Sequence, residues 1–456
     1  STHCISSAAS DVYKRQQGHY TISKPDETQT YADVLANINK RFNDFSLVAN
    51  VGASIVNNRY EDLSYRGPIR EKGIPNVFNV FDLDNTKKKA RQDEWQEQTQ
   101  SVFASVEVGW KSMLYLTLTG RNDWASQLAN SSTPCFFYPS VGLSGVISEM
   151  LTLPEFIDYM KVRGSFSSVG MPYPRNLTSP TYEYDEANQQ WKPKTHYPIK
   201  DLKPERTNSW ELGLDMRLFK DFSLGFSWYL ANTFNQTFDP KVSVSSGYSK
   251  IYLQTGYVRN SGVELSLGYG HTWNNHLHWE SNFTLSHNKN TIKDLVTSYI
   301  HPETGLPITQ NRLDVGGLGK ARFILKKGGT LGDLYTQSDL KRDNSGMVEI
   351  DPSGALTTED NLPDIKLGSV FPKANLAWNN RFEWRGISLS ALFTARIGGI
   401  AYSATQAAMD QYGVSERSAQ ARDNGGVLLN GRTLVDAQTY YSLIGNSSGL
   451  PQYYTY

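Results

Sequence analysis

The stretch KDFSLGFSWYLANTFNQTF, Lys220 to Phe238, decides how this chain is read. Every second residue from Leu224 is large and apolar: Leu224, Phe226, Trp228 and Leu230. The other register, Ser223, Gly225, Ser227 and Tyr229, is small or polar. Successive side chains of a strand point to opposite faces, so this is a strand with one greasy face to bury. Alternation alone leaves two surroundings open for that face, a protein core or lipid.

The same period recurs from end to end. Leu47, Ala49, Val51 and Ala53 alternate with Ser46, Asn50, Gly52 and Ser54, and Val102, Ala104, Val106 and Val108 with Ser101, Ser105, Glu107 and Gly109. Trp210, Leu212, Leu214 and Met216 oppose Glu211, Gly213, Asp215 and Arg217, and Ile387, Leu389 and Phe393 oppose Ser388, Ser390 and Thr394. Period-2 alternation repeated this often is a strong β signal. Between the strands, very short links (Asn43-Asp44, Lys111-Ser112, Lys220-Asp221, Arg385-Gly386) take turns with long ones. The long ones cover about 57–94, 122–135, 170–204, 233–250 and 290–321. An up-and-down meander with that order gathers all short turns at one end and all long loops at the other, as transmembrane β-barrels do. Aromatics at strand ends, among them Trp110, Trp124, Phe137, Phe219, Trp273 and Trp384, suit either interface girdles or the rim of a soluble sheet.

Composition narrows the classes. Among 456 residues, 45 basic and 45 acidic side chains cancel, which removes any general argument for nucleic acid. The two cysteines, Cys4 and Cys135, show no metal spacing and no disulfide framework. No apolar run approaches the roughly 20 residues of a spanning helix, which leaves a β-barrel open. The first residues, STHCISSAASDVYKRQ, read as translated sequencing adapter or as a disordered polar terminus, so 1–17 is set apart from the fold and 18–456 is taken as one domain.

An ordered series of motifs carries a resemblance. LKPERTNSWELGLDMRLFKDFSLGFSWYLANTFNQTF (Leu202–Phe238), SSGYSK (Ser245–Lys250) and GYVRNSGVELSL (Gly256–Leu267) stand in sequence. LTGRNDWAS (Leu118–Ser126) and FFYPSVGLS (Phe136–Ser144) precede them. GGTLGDLYTQ (Gly328–Gln337), DNSGMVEIDPSG (Asp343–Gly354) and ISLSALFTARIGGIAYSATQAAMDQYGVSERSAQARD (Ile387–Asp423) follow. From about residue 30 to 445 the chain resembles the barrel of SusC/RagA-type TonB-dependent receptors, outer-membrane nutrient importers of Gram-negative bacteria. The resemblance implies an all-β fold, an antiparallel up-and-down transmembrane β-barrel, here an internal piece of about 13 or 14 strands without the family's plug domain. It also implies energised uptake of an oligosaccharide or peptide, a SusD-like surface lipoprotein, and the TonB-ExbB-ExbD complex acting through a segment outside this sequence. Outer-membrane lipid is then the neighbour of Leu224, Phe226, Trp228 and Leu230. The contrasting reading is a soluble all-β carbohydrate-binding protein or glycoside hydrolase, whose sandwich would alternate as strictly.

No residues are expected to be catalytic, to bind a cofactor or to hold a metal. His271, His276 and His278 lie close in sequence but lack a convergent third or fourth ligand. GGLGKAR (Gly316–Arg322) has Asp314 where a phosphate loop needs glycine and Ala321 where it needs Ser or Thr. DNSGMVEIDPSG lacks EF-hand spacing and reads as two Asp/Gly turns. Arg121 and Asp123 read as a structural pair at the rim. Trp124, Tyr138, Tyr173, Trp191, Tyr248 and Tyr402 are the loop or rim aromatics whose rings could stack on a sugar.

Overall fold

The structure is a computed structural model. It describes residues 18–70, 78–177, 183–185, 190–192, 203–238, 253–273, 276–318, 320–445 and 454–455, apart from 301–306. The segment 1–17 lies outside the described residues.

Twelve strands form one antiparallel sheet in chain order. They are β1 (His19–Phe42), β2 (Phe45–Pro68), β3 (Lys89–Trp110), β4 (Leu114–Ala125), β5 (Cys135–Val146) and β6 (Ile157–Met171). The series continues with β7 (Glu205–Leu218), β8 (Phe222–Phe238), β9 (Leu253–Trp273), β10 (Leu277–Asp294), β11 (Ala374–Trp384) and β12 (Ile387–Ile397). This is one or two fewer than the sequence suggests, and residues between β10 and β11 build smaller sheets of their own. Strands β1 and β12 each pair on one side only, so the sheet is open among the described residues.

The register joins the greasy residues of neighbouring strands into one face. Phe226 pairs with Leu214 on β7 and Leu265 on β9, and Trp228 with Leu212 and Val263. Further along, Leu265 meets Leu285, Leu285 meets Leu376, and Phe382 meets Leu389. On the other side, Leu116 lies between Val108 and Leu143. Leu212, Trp210, Leu143 and Trp378 stay about half exposed on this face. From Phe222 to Leu230 the face covers about 26 Å of strand, which at the tilt of a barrel strand is about 20 Å of height, most of an apolar band about 25 Å tall.

The strand ends joined through 43–44, 111–113, 147–156, 219–221, 274–276 and 385–386, all but one of these links two or three residues long, lie at one end. Right-twisted strands are joined tightly by turns with positive φ, which match that twist. Arg385 (45°) and Gly386 (86°) both supply it, as do Lys111 with Ser112 and Phe219 with Lys220. The strand ends that lead into 69–88, 126–134, 172–204, 239–252 and 295–373 lie at the opposite end. Phe42, Phe45, Trp110, Phe219, Phe222 and Trp384 crowd the short-turn end and are exposed there. Trp279 stacks on Phe382 with the rings 3° from parallel.

One connection departs from the sequence reading. Residues 57–68 and 89–94, expected within a long loop, continue β2 and β3. Strands of 24 residues reach about 80 Å, far more than the roughly 10 residues that cross a bilayer. Beyond Ile55 the sequence NNRYEDLSYR is polar in both registers, so alternation vanishes although pairing continues.

The fold is all-β in its framework, and among the described residues the helices longer than one turn follow β12. Helices α2 (Ala404–Gln411), α3 (Glu416–Asp423) and α4 (Ala437–Ile444) follow a single turn, α1 (Ile147–Met150), in the β5–β6 link. Ser403, Ser415 and Asp436 cap the three by accepting a hydrogen bond from the backbone N–H three residues on. Ala407, Val435 and Ile444 pack with Leu340, Val348 and Leu356 of the β10–β11 connection. Two distant segments therefore share one small core.

Candidate functional site

The side chains opposite the greasy face build the site. Arg163 on β6 is the centre of its cross-strand network. Its Nη1 donates to Asp215 Oδ2 on β7 at 2.8 Å, and its Nη2 donates to Ser227 Oγ on β8 at 2.7 Å and to Glu211 Oε1 at 3.3 Å. Gly213 lies directly beneath the guanidinium, where a Cβ would come within 2.5 Å of Arg163 Nε and push that side chain aside. Around this network the sheet curves into a groove of about 700 Å³. Glu264, Ser266, Thr284, Thr394 and Arg396 line it, and with Arg163 and Asp215 they supply both signs of charge. Such a wall offers donors and acceptors to a polar solute and no single preferred charge.

The rim at β3–β5 is built the same way. Arg121 Nε donates to Asp123 Oδ1 at 2.6 Å, and Arg121 Nη2 donates to Ser101 Oγ at 2.8 Å. Asp123 and Ser101 are buried. Tyr138 pairs with Arg121 in the β-ladder, and its hydroxyl sits against Asp123. Its ring meets Phe136 edge-on, with centroids 4.8 Å apart.

The candidate aromatics whose side chains are described, Trp124, Tyr138, Tyr173 and Tyr402, do not converge on one site. Trp124 shares the outward register of Leu116 and Leu118 and is 44% exposed. Tyr138 occupies the inward register. Tyr173 is buried with Ala125, Leu128, Phe136 and Leu177, against which Tyr138 also packs, so these two alone share a cluster. Tyr402 is half-buried against the core shared by the β10–β11 connection and the helices. Trp191 belongs to a short strand, Gln190–Lys192, paired with Glu183–Asp185. Tyr248 lies outside the described residues. Leu224, Phe226, Trp228 and Leu230 all fall on the greasy face. The Arg163 network escapes sequence reading because it is a matter of register. Only the pairing of Ser227 with Gly213, and of Gly213 with Arg163, brings residues 64 apart into contact.

The other singled-out motifs resolve into structure. His271 Nδ1 pairs with Asp221 Oδ2 at 2.8 Å, whereas His278 Nδ1 meets Thr272 Oγ1 at 2.9 Å on the opposite face. Among the described residues no three potential metal ligands cluster. Arg312–Leu318 and Ala321–Lys326 form a hairpin, not the strand-to-helix junction of a phosphate loop. DNSG and DPSG fold as twin turns. Asp343 Oδ1 accepts from Ser345 N, Ser345 Oγ and Met347 N, and Asp351 Oδ1 accepts from Ser353 N, Ser353 Oγ and Ala355 N. Gly346 and Gly354 close them at φ of 83° and 82°.

A family model described as "TonB dependent receptor-like, beta-barrel" matches residues 6–446. TonB-dependent receptor P39 of Formosa agariphila is 23% identical over 339 residues, covering 71% of this chain and 30% of its own length. Receptor P26 of the same organism is 23% identical over 350 residues, covering 71% and 34%. Among solved structures, that of the RagAB peptide transporter superposes with a TM-score of 0.69 at 16% identity, over 87% of this chain and 44% of the other. The RagAB peptide importer in its 'closed-closed' state gives 0.66 at 16% identity. At that identity the likeness shows the fold. The chain spans about a third of the length of the curated relatives it matches.

Proposed function

The chain belongs to the TonB dependent receptor-like β-barrel family, and on that premise we propose that it forms wall and outer mouth of an energised nutrient importer. The family is one of receptors and transporters rather than enzymes, and it places the protein in the outer membrane. Leu224, Phe226, Trp228 and Leu230 face lipid, and the Arg163–Asp215–Ser227 face borders a water-filled lumen. The observation that carries this reading is the pairing of one continuous apolar face with long connections gathered at a single end. A soluble sandwich would cover that face with a second sheet. Here Leu212, Trp210 and Trp378 stay about half exposed.

The cargo is an oligosaccharide or a peptide, delivered with a SusD-like surface lipoprotein and driven through TonB-ExbB-ExbD. The name of the RagAB peptide transporter supports the peptide arm. Rim aromatics such as Tyr138 support the sugar arm. Arg121 and Asp123 act as a structural brace beneath the rim. Uptake of labelled oligopeptides and of labelled oligosaccharides by cells carrying the whole receptor, with and without a protonophore, tests the proposal. One class should accumulate, and collapse of the proton gradient should abolish it. Uptake that ignores the protonophore would refute energised import.

A further inference from the structure

We propose that the insertion between β10 and β11 is a fixed ledge, fastened to the inner wall, that limits the size of molecule able to reach the groove beneath it. The proposal rests on the reading of the polar face as lumen.

Going up β9 and β10 from the groove, the inward register is polar or glycine at Ser266, Glu264, Gly262 and Asn260, and at Thr284, Ser286, Asn288 and Asn290. It then turns apolar at one pair, Val258 opposite Ile292, about 20 Å above Glu264. An apolar pair facing open water would be unexplained. Here both are buried, 1% and 0% exposed, under Leu313, Leu325 and Leu331 of the insertion.

The backbone is fastened as well. Strand β11 pairs with β10 only as far as Ser286, which leaves the edge of β10 beyond it without a strand partner. Ile292 fills that gap by donating to the Gly329 carbonyl and accepting from the Gly328 N–H, both at 2.8 Å. Asn290 is 9% exposed and accepts from the Leu331 N–H at 2.8 Å while donating to Asn260 Oδ1 at 2.9 Å. Lys327 Nζ reaches Asp294 at 2.8 Å.

The ledge is stiff in itself. Asp333, fully buried, accepts from Thr330 N at 3.0 Å, Thr330 Oγ1 at 2.7 Å and Lys366 Nζ at 2.7 Å. Segments that open readily have few buried apolar contacts and solvent-exposed backbone bonds. This one has the reverse.

The test uses the whole receptor in outer-membrane vesicles, with its native cysteines, Cys4 and Cys135 among them, replaced by serine and Ser266→Cys placed in the groove. A small water-soluble maleimide and a bulky polyethylene-glycol maleimide are compared. The parent should react with the small reagent and at least about tenfold more slowly with the bulky one. Ile292→Asp should raise the bulky-reagent rate by about tenfold, with faster hydrogen exchange at Gly328 and Leu331. Equal rates in the parent, or an unchanged ratio once those amides exchange freely, would overturn the ledge. Should Ile292→Asp fail to assemble, Asn290→Leu removes the bond from Leu331 together with the one to Asn260 and is read by the same ratio. Leu212→Cys on the apolar face separates the two readings. Labelling there as fast as at Ser266→Cys would refute the lumen assignment itself.

Discussion

Asn430 holds the peptide of Val348 from both sides. Its Oδ1 accepts from the Val348 N–H at 2.9 Å, and its Nδ2 donates to the Val348 carbonyl at 2.8 Å. The pair closes the core that the β10–β11 connection shares with the segment after β12. Asn430 also sits at φ 53°, a left-handed conformation that asparagine tolerates well.

Asn430→Gly keeps the backbone conformation accessible and removes both bonds. It should destabilise this unit by about 1–3 kcal/mol. Asn430→Ala should cost about 1 kcal/mol more, because alanine resists positive φ. Hydrogen exchange at Val348 and Leu356 measures both. Equal protection in the parent and the Gly variant would show that the clamp contributes nothing.

Phe226→Arg should cost about 2–4 kcal/mol in a refolding titration into lipid. Ser227→Arg, the simplest inward comparison on sequence grounds, would set two guanidiniums against each other, because Ser227 Oγ accepts from Arg163. Ser266→Arg, at an exposed inward position, is the cleaner control and should be tolerated. Equal losses at Phe226 and Ser266 would contradict the lipid assignment.

Acid should loosen the insertion in a defined window. Hydrogen bonds from Arg312 hold the Asp364 carboxyl at about 2, with Lys326 adding to the effect against the opposing pull of burial. A depressed carboxylate contributes stability that is present above its ordinary value of 3.8 and is lost as pH falls toward 2. The contribution is of order 1–2 kcal/mol after screening through the partly exposed cations. Exchange rates followed from pH 5 to pH 2 should show this loss, and Asp364→Asn should flatten the profile. An unchanged profile in the variant would remove Asp364 from the explanation.

The turn at Arg385-Gly386 predicts a gain. Both residues have positive φ, the conformation for which Asn-Gly is favoured. Arg385→Asn should stabilise the β11–β12 hairpin by a few tenths of a kcal/mol, and Arg385→Val should cost about 1–2 kcal/mol. Urea unfolding of the two variants ranks them, and the reverse order would reject this turn geometry.

Legibility followed the surroundings of each residue. Where one face of a strand is apolar and the other polar, as from Phe222 to Leu230, period-2 alternation declares both the strand and its faces. Where both faces meet water, as in NNRYEDLSYR, the strand persists through backbone pairing that no side-chain pattern reports. Tyr173 and Tyr402 looked like exposed loop aromatics because burial in a loop core depends on which distant segment folds over them. The Val348–Asn430 clamp spans 82 residues and leaves no local trace. Val258 and Ile292 break the polar inward register, and only the insertion that covers them gives that break a meaning.

The shared core has a kinetic consequence. Its two halves flank the β11–β12 hairpin, and Lys373 N–Ile397 O at 2.7 Å and Ile400 N–Ser369 O at 2.9 Å continue the pairing into it. If the shared core collapses first, the two ends of the hairpin are already neighbours, and the only chain left to close is the hairpin itself, Ala374 to Ile397. The entropy of bringing such ends together grows with the length of free chain between them. The last hairpin of the sheet can then zip from its outer end inward, a downhill search rather than a random encounter.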